Sequence, residues 1–216
     1  MNHNKLQKIG GISAILEGLI YIFTFVIYGG VLAFPKADAS SIEKLNFLSN
    51  NFITLSAINL VSYVMFGILL AVLVVAIHQR LKNDAPILTS LASLFGVIWV
   101  GLVISSGMIA NIGLKTVVDL GANSPEDAML IWRSVAIVSE GLGGGNEIVG
   151  GVWVLLLSIV AFKSKSLSKP LNILGLVVGI AGVVTIFPLE IFTEIFGLSQ
   201  IIWFMWMGVA MMRKTF

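Results

Sequence analysis

Six long apolar runs separated by short polar stretches set the pattern of this chain. They cover Ile9–Phe34, Phe52–Ile77, Pro86–Leu114, Met129–Phe162, Leu171–Pro188 and Leu198–Met212. Each exceeds or approaches the roughly 20 residues that a helix needs to cross a bilayer. The runs are continuous, whereas barrel strands alternate in segments of about ten residues, so helices are predicted. The expected fold is an all-α, polytopic transmembrane helical bundle of about six spans, with residues 1–216 forming a single integral membrane domain. The last two runs are short, and Gly197 and Ser199 blur the start of the sixth. The first run is longer than the apolar core of a cleaved signal peptide, so it reads as a retained helix.

Composition agrees with this picture. Apolar residues make up 57% of the chain and charged residues 11%, against about 25% charged in soluble domains. The mean hydropathy is +1.01. There is no cysteine, which excludes disulfides and thiolate metal sites.

Charge adds an orientation. If all six runs cross, Lys5, Lys8, Arg80, Lys82, Lys163, Lys165, Lys169, Arg213 and Lys214 share one side. Only Lys36, Lys44, Lys115 and Arg133 fall on the other. The bias places both termini in the cytoplasm of a multi-pass cell-membrane protein. The acids run the other way, with Asp38, Glu43, Asp119, Glu126, Asp127, Glu140, Glu147, Glu190 and Glu194 on or toward the outer side. That excess is either what remains when basic residues are excluded or a negative vestibule that concentrates cations.

The first run carries the most specific pattern. Ser13, Glu17, Tyr21, Thr24 and Tyr28 form a polar stripe on one helical face. In lipid such a stripe has to face the bundle interior. Glu17 lies about 12 Å into the span, and is expected to be buried and either protonated or paired with a cation. Ser56, Asn59 and Tyr63 on the second run, and Ser93, Ser105, Ser106 and Asn111 on the third, offer matching faces. The hydroxyls and amides read as interhelical glue, and Glu17 reads as functional.

The fourth run is too long for one straight crossing. Ser124, Pro125, Glu126 and Asp127 make a good helix start, and a straight helix from there to Phe162 measures about 57 Å. Gly141, Gly143, Gly144 and Gly145 either break it, or let a neighbouring helix approach closely, the commoner use. A break would gather Asn146, Glu147 and freed carbonyls as a hard-oxygen set, with Glu190, read as the far end of the fifth span, completing it. Arg133 and Glu140 share the face of Glu147 but lie farther out, in or near water. Gly10, Ala14 and Gly18, like Gly175 and Gly179, form small-residue lines suited to close helix packing. Trp203, Phe204 and Trp206 read as core or lipid-facing aromatics rather than a cation cage.

Catalytic motifs are missing. There is no HExxH, no GxSxG and no phosphate loop, and the only histidines are His3 and His78. No cofactor is implied, and the residues do not specify a metal. The opening KIGGISAILEGLIYI and the tail IFPLEIF with GLSQIIWFMWMGVAMMRK resemble the bacterial domain of unknown function 4386 family. That resemblance implies a multi-span bacterial membrane protein and carries over no activity or site residue. The expected partners are the lipid bilayer and a cation or small-molecule ligand, not nucleic acid. The leading expectation is a transporter or ligand-binding membrane protein for a cation, proton-coupled solute or cationic small molecule, with Glu17, Tyr21, Asn59, Asn146, Glu147 and Glu190 as its candidate site. Two other readings remain open, a non-catalytic module assembling with itself as a homo-oligomer or with a partner, and an intramembrane carboxylate enzyme.

The charge bias generates a direct test of topology. A cysteine introduced by Ser40→Cys should react with an impermeant thiol reagent from outside the cell only. Labelling confined to the cytoplasmic side would reverse the orientation.

Overall fold

Lipid cannot hydrogen-bond the backbone, so a chain this apolar has to satisfy its own amides, and it does so as helices. The computed structural model describes residues 3–144, 147–187 and 189–213. No strand occurs among the described residues. The helices are α1 (His3–Val26), α2 (Ser41–Asn50), α3 (Phe52–Asn59), α4 (Phe66–Leu81), α5 (Pro86–Gly121), α6 (Pro125–Ser139), α7 (Ile148–Ser164), α8 (Lys169–Val184) and α9 (Glu190–Met212). Two wide π turns extend or join them: Ile27–Val31 ends the first span and Leu60–Met65 joins α3 to α4, while a kinked segment, Glu140–Gly144, follows α6.

Five helical stretches are long and apolar enough to cross a membrane: Asn4–Val31, Phe52–Leu81, Pro86–Gly121, Pro125–Ser164 and Ile191–Met212. A shorter apolar helix, Lys169–Val184, stands where the fifth span was expected. The spans form a closed ring in chain order: α1 packs on α4, α4 on α5, α5 on α7, α7 on α8, α8 on α9, and α9 returns to α1. Their outward faces are apolar, with Ile22, Ile68, Val75, Leu94, Val97, Ile180 and Ile202 exposed. A water-soluble bundle would turn polar side chains outward there. The protein is an integral membrane bundle.

Glycine lets the ring close tightly. A Cβ at Gly11 would lie 2.8 Å from the Gly208 carbonyl oxygen, and one at Gly208 would lie 2.6 Å from that of Gly11. At the α7–α8 crossing, Cβ atoms at Gly151 and Gly182 would meet the opposing backbone at 2.7 and 2.6 Å. Both small-residue lines expected from the sequence lie at close contacts, Gly10 against Ala76 on α4 and Met211 on α9, Gly18 toward α9, and Gly175 and Gly179 toward α7. The centre of the ring is aromatic: Phe66, Trp99, Trp153, Phe196, Trp203 and Phe204 are all buried and in mutual ring contact.

A second core lies beyond the ring. Leu45, Leu48, Leu55, Ile58, Leu114, Val117, Ala128 and Met129 pack together from α2, α3, the end of α5 and the start of α6. With 36 residues, α5 is about 54 Å long, well beyond the ~30 Å hydrocarbon layer. Its last turns, α6 and α2 therefore build a cap at the acidic end. Arg133 and Glu140 are exposed on this cap. Residues 41–50, expected only as an outer loop, form α2 because Ser40 and Glu43 make a reciprocal capping box.

Two boundaries differ from the sequence reading by about two turns. The last helix begins at Glu190 rather than Leu198, so Glu190 opens the sixth span instead of ending the fifth. The third span continues to Gly121 rather than Leu114, because the cap gives its outer turns apolar partners.

The glycine contacts predict a stability pattern. Gly151→Ala and Gly208→Ala should each cost about 1–3 kcal/mol, as overpacking does. Gly101→Ala, with no atom within 4 Å of the added Cβ, should cost nothing and gain up to ~1 kcal/mol from helix propensity. Denaturation in mixed detergent micelles reads the difference.

Candidate functional site

Both π turns and the kink in the fourth span reach one cavity. It holds about 210 Å³ and lies between the first, second, third, fourth and sixth spans. Tyr28 comes from the first π turn, Ser62 and Tyr63 from the second, and Gly143 from the kink. Each π turn swells its helix by one residue, which moves a side chain off the usual 3.6-residue track. Tyr21, Phe66, Trp99 and Phe196 supply most of the remaining wall. Tyr21 meets Phe66 edge-on at 5.5 Å, and Phe66 meets Trp99 at 5.9 Å. Thr24 and Ser62 share a 2.6 Å hydrogen bond on the wall. Glu194 and Tyr28, both exposed, mark the rim.

Glu147 is the buried acid of this cavity. It sits at the N-terminus of α7, directly after the broken segment. Gly143 has φ 140° and ψ 19°, a left-handed backbone that glycine alone adopts without strain. The glycine cluster thus breaks the fourth helix rather than serving only as a packing surface. Trp99 Nε1 donates to Glu147 Oε2 at 3.1 Å. That reach needs Gly150, where a Cβ would lie 2.6 Å from the Trp99 ring. The Glu147 amide donates to Thr185 Oγ1 at 2.9 Å, and this hydroxyl donates to the Gly182 carbonyl at 2.7 Å. Trp99 on α5 thus holds the carboxylate, and Thr185 at the end of α8 holds its backbone.

The electrostatics are one-sided. A hydrogen bond to a charged group contributes about 1.5–3 kcal/mol, and a helix N-terminus up to ~2 kcal/mol in partly buried geometry. Burying a lone carboxylate costs several kcal/mol even after relaxation, so these two contributions do not leave a comfortable margin. No basic residue is in place to add to them, since the chain has no Lys, Arg or His between Arg133 and Lys163 or between Lys169 and Arg213.

The other candidate residues divide. Tyr21 lines the cavity beside Glu147. Glu17 is fully buried, as expected, but is not on the cavity wall, and among the described residues neither of its carboxyl oxygens has a hydrogen-bond partner. Gly11 against Gly208, and Gly18 against Met205 and the Ile201 carbonyl, pack the Glu17 turn of α1 on α9. The Gln200 amide and the Trp203 indole nitrogen are likewise buried and unpartnered among the described residues. Asn59 is buried toward the cap and lines a separate cavity with Phe47, Met129 and Trp132. Asn146 and the side chain of Glu190 lie outside the described residues. No cluster of three or more metal-ligating side chains occurs among the described residues.

Sequence reasoning missed Trp99 and Thr185. Trp99 carried a signal, because a tryptophan far from the ends of a span is out of place in an interfacial belt. Thr185 carried none. The geometry defines an all-α membrane bundle with an internal aromatic and acidic cavity. Comparison with protein-family models, curated proteins and solved structures finds no match to the chain.

The break at Gly143 is directly testable. Gly143→Ala has space around its Cβ, with nothing closer than 3.7 Å, so any loss reports backbone strain alone. The expected cost is about 1–3 kcal/mol, measured by denaturation. A gain in stability would mean the segment relaxes to a straight helix.

Proposed function

We propose that the protein binds a small cationic solute in this cavity, as a transporter or as a ligand-binding membrane protein of the bacterial cytoplasmic membrane. The reading rests on one observation above the rest: Glu147 is a buried acid in an aromatic-walled cavity that no basic side chain lines among the described residues. Aromatic faces attract cations through their quadrupoles, most strongly when desolvated, and quaternary ammonium groups are the usual beneficiaries. The volume equals that of about seven waters at ~30 Å³ each, which suits a solute the size of choline. The resemblance to the domain of unknown function 4386 family supports the bacterial assignment. The basic residues support a topology with both termini in the cytoplasm, so that the rim at Glu194 faces outward into the acidic cap.

One observation favours a different reading. Glu17 is dry and packed, as in a membrane module whose polar groups serve only assembly. A thermal-shift series separates the two. Tetramethylammonium and choline should raise the melting temperature steadily with the logarithm of their concentration above Kd, the stabilisation reaching about 2.7 kcal/mol at 100 times Kd. Glu147→Gln should weaken this by tenfold or more in Kd. A melting temperature indifferent to both cations but rising with protein concentration would favour assembly instead.

A further inference from the structure

Glu147 lines the cavity with no basic side chain among the described lining residues. The wall groups that face it are Tyr21 and Tyr28 from the first span, Tyr63 from the second, Trp99 from the third and Glu194 from the sixth. Glu140 lies on its own span before the break, and Glu17 lies a turn below Tyr21. None of these is basic, and only the Trp99 indole donates to the carboxylate among the described contacts. The rest of the membrane layer offers no help. No Lys, Arg or His lies between Lys8 and Lys36, between Lys44 and His78, or between Lys82 and Lys115. A buried carboxylate without a countercharge holds a proton, because the neutral acid costs far less to keep out of water. A cation seated against the same oxygens supplies the countercharge, and the proton is no longer needed.

We infer that Glu147 is a proton–cation exchange site, releasing one proton to water at the Glu194 rim for each monovalent organic cation it binds. The inference rests on the cation-binding reading above and adds its coupling. The exchange balances: the carboxylic acid and the incoming cation become a carboxylate–cation pair and one hydronium ion. The aromatic wall and the indole donor serve both states, since Trp99 Nε1 can donate to the carbonyl oxygen of the acid or to the carboxylate. Two cargoes that compete for one carboxylate are coupled without any second site, and a cation gradient could then be driven by a proton gradient. Linkage requires that acid weakens cation binding.

Isothermal titration calorimetry of the full chain in detergent or nanodiscs tests this, with tetramethylammonium and choline as probes. The titration is repeated at pH 6 in buffers of different ionisation enthalpy, and the slope of the observed heat gives the number of protons released. The expected count is near one per cation, with Kd weakening as pH falls. In Glu147→Gln the count should drop to zero and Kd should weaken at least tenfold. Binding to the unaltered protein with a count of zero would overturn the exchange while leaving the cation site intact. No binding of either probe would overturn both. A Glu147→Gln protein that still releases one proton would assign the exchange elsewhere, and should that variant not fold, the count on the unaltered protein decides.

Discussion

Lipid offers no hydrogen bonds, and nearly every feature of this protein follows from that constraint. Backbone groups have to be satisfied within the chain, which makes each apolar run a helix. Where the helices depart from ideal geometry, they do so together, around one cavity. The turns at Ile27–Val31, Leu60–Met65 and Glu140–Gly144 come from three different spans, yet all contribute to the same wall. Irregular backbone at membrane depth is tolerated where it is covered by protein or borders a cavity. Here the departures also place Tyr28, Tyr63 and Glu147, so the irregularity and the site have one cause.

The packing that holds the cavity open is made of unlike parts. On one side, glycines at the α1–α9 and α7–α8 crossings bring backbones into direct contact. Across the middle, six large aromatic side chains fill the ring. In a bilayer there is little hydrophobic gain from joining helices, so close contact and dispersion have to supply the association. Small residues at the seams and large ones in the middle do both. The same arrangement decides that Trp99 can lie flat over Gly150 and reach Glu147. Packing and site are thus one structure seen at two depths.

The two membrane carboxylates share a chemical problem and differ in surroundings. Glu147 borders the cavity and is tethered by Trp99 and, through its backbone, by Thr185. Glu17 is fully buried, away from that wall. From composition alone Glu17 is the more conspicuous, since it stands by itself in an uninterrupted apolar run. Only the bundle shows that the acid on the cavity wall is the other one.

The sequence by itself determined the class of the protein, most span boundaries, the small-residue seams and the acid of interest in each half. Those features depend on local quantities: run length, the spacing of polar residues along one helix, and the excess of basic residues at one end. Tertiary structure decided the rest. Whether the glycine cluster packs or breaks depended on where α5 and its Val103 stand against Gly143. Whether Glu17 or Glu147 meets the cavity depended on the register between spans far apart in the chain. The extra turns of α5 and the eight earlier residues of α9 beyond their apolar runs also needed partners to become visible, because a polar or ambiguous residue becomes helical when a neighbour covers it. Helix identity is written in periods of a few residues, but a cavity exists only between helices, and no single run encodes it.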